Sequence, residues 1–171
     1  IDVDEEMIRQ MSSHIVKVKE LAVPLRDSWT DPVLRLGVEY ANSLDEWYLG
    51  PFARGSNKGY YVKGYSFVIN ADNAVYERIL LLRDDAGKTW SVPVQAMYRS
   101  DIADNLTDQK NDMLTGFFTV FEEDTLPEGE YLVGMLAKDR TSRQRLVNWS
   151  DVKLRIHRKN DITDGEKTDA E

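Results

Sequence analysis

The feature that most constrains this chain is a period of two in its apolar residues. In Leu34-Arg35-Leu36-Gly37-Val38-Glu39-Tyr40 every second residue is apolar, which places one face inward and the other outward in an extended strand. Val152, Leu154 and Ile156 alternate with Lys153, Arg155 and His157 in the same way. Trp90, Val92, Val94, Ala96 and Tyr98 share one face of a further strand, whose Pro93 belongs at an edge or a bulge because proline donates nothing to a ladder. The run Ile79-Leu80-Leu81-Leu82 has no alternation and reads as a central strand covered on both faces.

Further strands are expected over residues 14–23, 60–70, 116–121 and 129–138. Turn chemistry separates them: Asn70 to Asn73, Asp84 to Gly87, and Leu126 to Gly129. Convincing 10–15-residue helical patterns do not occur, so the expected fold is all-β, an antiparallel β-sandwich of about seven to nine strands. A barrel is the other closed solution. The domain is expected over 14–159, after a lead-in over 1–13 that has room for a short helical turn. Residues 160–171 hold five acids against one lysine and almost no large apolar side chain, and read as a flexible acidic tail. The ragged ends suggest a piece of a longer protein.

The stretch from Gly59 to Ala137 resembles the accessory β-sandwich domains of bacterial cell-surface polymer proteins, namely teichoic-acid-type transferases and membrane glycosyltransferases. The matching residues are Lys63-Gly64-Tyr65-Ser66-Phe67, then Ile79 to Leu82, then Tyr98-Arg99-Ser100-Asp101-Ile102. Gly116-Phe117 and Leu126-Pro127-Glu128-Gly129-Glu130-Tyr131 complete them. The resemblance implies an immunoglobulin-like, extracytoplasmic accessory module tethered to a membrane protein, without catalytic residues of its own. Residues 24–58 have no counterpart in that pattern.

Composition narrows the chemistry. Lys and Arg number 22 against 30 Asp and Glu, a net charge of −8, which argues against a nucleic-acid partner. Cysteine is absent and histidine occurs twice, which nearly empties the inventory of thiolate and imidazole metal sites and triads. Neither a nucleophile elbow nor a phosphate-cradling glycine loop occurs. The expectation is a non-enzyme with no cofactor and no resident metal.

Four groups of residues are candidates for binding. Arg99 and Asp101, two apart at a strand end, can present a guanidinium fork to a carboxylate or a polymer phosphate, or can pin the long 99–115 connection. Trp47 and Tyr48, in a loop context, can stack on a sugar ring or fill the core. Eight basic side chains against two acids occupy residues 138–159. Arg143, Arg145, Lys153, Arg155 and Lys159 would form a basic stripe for an anionic partner, unless acids of the same chain match it. Asp101 and Asp104, with Asn105, Asp108 and Asp112, are a conceivable calcium loop over 101–112, although their spacing is loose and a solvated acidic face is the simpler reading. The triplets Asn105-Leu106-Thr107 and Asn148-Trp149-Ser150 match a glycosylation pattern that carries no message in a bacterial chain. The expected partner is a cell-wall glycopolymer, with a second envelope protein as the alternative.

Overall fold

The computed structural model describes residues 3–19, 21, 31–44, 59–104, 113–142 and 144–157. Two antiparallel sheets face one another. Chain order is α1 (Glu5–Ser13), β1 (Val16–Val18), β2 (Val33–Ser43), β3 (Gly59–Ile69), β4 (Tyr76–Arg83), β5 (Thr89–Pro93), β6 (Gln95–Met97), α2 (Ser100–Ala103), β7 (Gly116–Glu122), β8 (Gly129–Asp139) and β9 (Arg145–Ile156). One sheet runs β1-β5-β4-β8-β9 and the other β2-β3-β7-β6. The all-β sandwich expected from the alternation is therefore present. Calcium-loop positions 105–112, the tail, Trp47, Tyr48, Arg143 and Lys159 lie outside the described residues.

Between the sheets the inward sides of the strands merge into one core, which includes Leu34, Val62, Leu80, Leu82, Phe117 and Met135. Removing such side chains from water is the main favourable term in folding. The non-alternating Leu80-Leu81-Leu82 is fully buried, as expected of a central strand. Asp84 to Gly87 makes the β4–β5 hairpin: Asp84 Oδ1 accepts from the backbone N–H groups of Ala86 and Lys88. Gly87 takes φ 85°, a value that only glycine adopts without strain.

Two departures from the alternation have physical causes. Leu34, Leu36 and Val38 pack inward, but the β2–β3 register shifts between Val38 and Tyr40. Glu39 is the extra residue of that bulge, so Tyr40 turns to the outer face and meets Tyr61 at 5.9 Å between ring centroids. A bulge adds one residue to a strand and re-aims the side chains beyond it. The second departure is at Pro93. The strand expected over residues 90–98 is two strands: β5 ends at Pro93 in one sheet, and β6 begins at Gln95 in the other. Trp90, Val92 and Val94 keep to the core through the switch, whereas Tyr98 emerges 62 % exposed.

The N-terminal lead-in is a helix. Asp4 caps α1 by accepting from Met7 N–H at 2.8 Å, and Glu5 and Glu6 favour the positive end of its dipole. Ile8 packs with Leu44, Tyr61, Phe118 and Val120 on the outer side of the four-stranded sheet. That covering explains why Phe117 to Phe121 is buried on both faces. Of the strand expected over 14–23, Val16–Val18 is seen, paired with the β5 edge.

The two long sides of the sandwich differ. On one side Asn148 Nδ2 donates to Leu34 O at 2.8 Å, joining β9 to β2 across the sheets. On the other side the switch at Pro93 leaves a gap. There β4 has a β5 partner only from Ile79 onward, and β3 has a β7 partner only up to Tyr65. The exposed β3 edge is finished by a side chain: Val68 N–H donates to Asn73 Oδ1 at 2.7 Å, and Asn73 Nδ2 donates to Val68 O at 3.2 Å.

Candidate functional site

The gap beside Pro93 is a cleft of about 680 Å³, within the usual size of ligand pockets. Its walls are apolar at Val68, Ile79, Val94, Ala96, Met113 and Leu114. Its floor holds a cation, Arg78. The β4 register places Arg78 opposite Ala137, on the inward side of the strand with Leu80 and Leu82. From there the guanidinium crosses to the other sheet. Nη1 donates to Ser66 O and Ser66 Oγ at 3.0 Å each and to Thr115 O at 2.8 Å. Nη2 donates to Leu114 O at 2.5 Å and to Gly116 O at 3.3 Å.

All of these acceptors are neutral. Burial therefore pushes the Arg78 guanidinium down to about 10, since neutral oxygens only partly replace its lost hydration. It still carries its charge at neutral pH. Arg140 stands at the rim, exposed, with Nη1 donating to Ala74 O at 2.7 Å. Glu77 also lines the cleft, but in register it sits beside Lys138 on the outward face of β4. Thr115 is 2 % exposed in the wall, and its Oγ1 has no hydrogen-bond partner among the described residues. The sequence reading missed this site. One signal pointed to it: Tyr76, Arg78, Leu80 and Leu82 share a parity, so an inward charge interrupts an apolar face.

Arg99 and Asp101 are brought together, and with a third residue that spacing did not reveal. Arg99 Nε and Nη2 grip the two oxygens of Asp101 at 2.8 Å each, while Nη1 and Nη2 reach Glu39 at 2.6 and 3.2 Å. Hydrogen bonds to Asp101 and then to Glu39 raise the guanidinium, and Arg99 in turn holds the Asp101 carboxyl below its usual range. The fork is engaged within the chain, by two carboxylates. Its stem lies across Gly116, where a Cβ would meet Arg99 Cγ at 2.5 Å. Glu39 is aimed there by the bulge, which explains why strict alternation did not point to it.

Arg145, Lys153 and Arg155 all lie on the outward face of β9. Lys153 and Arg155 alternate with the fully buried Leu154 and Ile156. They do not form one stripe. Val147 and Trp149 separate Arg145 from the other two, by about 20 Å at the usual strand rise. Lys153 Nζ lies 4.0 Å from Glu130 Oε2, and Arg155 is the register partner of Glu130. Between the two groups Trp149 covers Gly134, leaving no space for a Cβ, and the Arg83 guanidinium stands 4.1 Å from its ring centroid. Arginine over an indole face is a favourable cation–π arrangement.

Among the described residues no group of three or more acid or histidine side chains is placed to hold a metal ion. In the calcium loop expected over 101–112, Asp101 is instead engaged with Arg99. Among the described residues no helix is long and apolar enough to cross a membrane. Comparison with known family models, with curated proteins and with solved structures finds no match.

Proposed function

We propose that this chain is a non-catalytic accessory domain, immunoglobulin-like, displayed outside a bacterial cell and tethered to a membrane protein, where it holds or orients an anionic wall glycopolymer. Two features support the immunoglobulin-like part. With β2 taken as strand A, the order β2-β3-β7-β6 reads A-B-E-D, and β5-β4-β8-β9 reads C′-C-F-G. At the start of β8, the F position, Tyr131 Oη donates to Pro127 O at 2.6 Å, the geometry of a tyrosine corner.

The observation that carries the binding reading is the outward face of the five-stranded sheet. A half-buried indole, Trp149, lies there between Arg145 on one side and Lys153 and Arg155 on the other. The Arg83 guanidinium already lies over the indole, so the ring offers its edge as apolar contact, and the cations on this face suit the phosphate or carboxylate substituents of the polymer. The test is retention of the purified chain on an anionic wall polymer and on the same polymer stripped of its charged groups. Binding only to the charged polymer, weakened by salt and by K153E/R155E, is expected. Equal binding by that variant sinks the reading.

A second reading, a protein-interaction module, is favoured by Val16, 57 % exposed on the three-residue strand β1 at the sheet edge. An added partner strand would pair there. Val16→Lys would then abolish partner capture and leave polymer retention unchanged.

A further inference from the structure

We propose that the cleft above Arg78 is a binding site for a small organic anion with an apolar body, a carboxylate borne on a hydrocarbon chain or ring. Shape and charge converge on it. The opening at the Pro93 strand switch is concave and about 680 Å³ in volume. Its rim is apolar and open to solvent at Met113, 38 % exposed, and Leu114, 56 % exposed. Large apolar side chains standing exposed around a concavity are a mark of binding surfaces.

Charge selects the ligand class. Arg78 is held by five neutral oxygens and by no carboxylate among the described residues, while Glu77, which also lines the cleft, sits in register on the outward face of β4. Coulomb attraction to an arriving anion is stronger above such a partly desolvated cation than in bulk water. The Arg78 terminal nitrogens are committed to carbonyls and to Ser66 Oγ, so they supply attraction rather than direct contacts. Arg140 supplies the contacts. Exposed at the rim, it gives one terminal nitrogen to Ala74 O, and among the described residues the rest of its fork is left for a carboxylate. The apolar body then covers Val94, Ala96, Met113 and Leu114.

The site is separate from the outward face of β9, so it stands whether or not the polymer reading does. The experiment is titration of the full chain with octanoate, 1-octanol and acetate, read by calorimetry and by amide chemical shifts. Octanoate is expected to bind roughly tenfold more tightly than either control, because only it has both charge and hydrocarbon. Its shifts should map to Ala96, Leu114 and Arg140. Arg140→Gln should weaken octanoate several-fold at an unchanged unfolding midpoint, and K153E/R155E should bind it like the unaltered chain. Equal affinity for octanol, equal affinity for acetate, shifts elsewhere on the surface, or an Arg140→Gln chain that binds normally would each overturn the proposal.

Discussion

Arg78 and Arg99 stand on the two sides of one sheet and solve opposite problems. Arg99 lies on the outer surface, where water is near, and is gripped by two carboxylates. Arg78 lies between the sheets, where water is scarce, and is given only carbonyl and hydroxyl oxygens. Their affinities for the proton move in opposite directions accordingly: up for Arg99 and down for Arg78. Strong pairing marks the arginine that matters less to the fold, because exposed ion pairs contribute little net free energy. Weak compensation marks the one that matters more, because the oxygens it satisfies are buried and belong to the opposite sheet.

Substitutions can break that comparison. Arg78→Ala strands Ser66, Leu114, Thr115 and Gly116 oxygens at once and should cost about 3 kcal/mol or more in chemical denaturation. A loss below about 1 kcal/mol, the scale of a surface pair, would mean the two arginines are equivalent. Gly116→Ala tests the outer site by crowding. Its Cβ meets Arg99 Cγ at 2.5 Å and the Met97 carbonyl at 3.0 Å, and overpacking of this kind costs about 1–3 kcal/mol.

Tyr131→Phe sharpens the contrast with a buried group that carries no charge. It deletes the bond to Pro127 O, at about 1 kcal/mol. Burial also pushes the Tyr131 phenol up to about 12. A raised acid favours the folded state below the unfolded value of about 10. Stability should therefore fall as pH rises from about 10 towards about 12, and Tyr131→Phe should flatten that decline. Least affected is Arg99→Gln, at about 1 kcal/mol or less. Its signature is in acid: the depressed Asp101 carboxyl adds stability that is lost as pH falls from the usual carboxylate value through its folded one. Carboxyl titration by NMR should show Asp101 rising towards about 3.9 in the variant.

The strands were legible because burial on one face imposes a period of two, as at Leu154 and Ile156. The central strand was legible at Leu80 to Leu82 because burial on two faces erases that period. What alternation could not foretell was where the chain changes parity or sheet. The Glu39 bulge and the Pro93 switch each involve a single residue, and their position depends on partners distant in the chain. Arg99 with Asp101 was visible from their spacing. Glu39 was not, since it comes from 60 residues away. Arg78 stood in the sequence as a charge at an inward position. Its meaning depended on the carbonyls of β3 and β7, which only the folded chain brings near.

Asn73 has a consequence for how copies of this molecule meet. Its amide occupies, with one donor and one acceptor, the place on Val68 that a neighbouring strand would take. A strand from another molecule arriving at this edge finds its first rung already filled, by a group with no next residue to offer. The ladder is thus given an end-stop, and edge-to-edge growth, the route by which sandwich proteins polymerise, is blocked at that edge by one side chain.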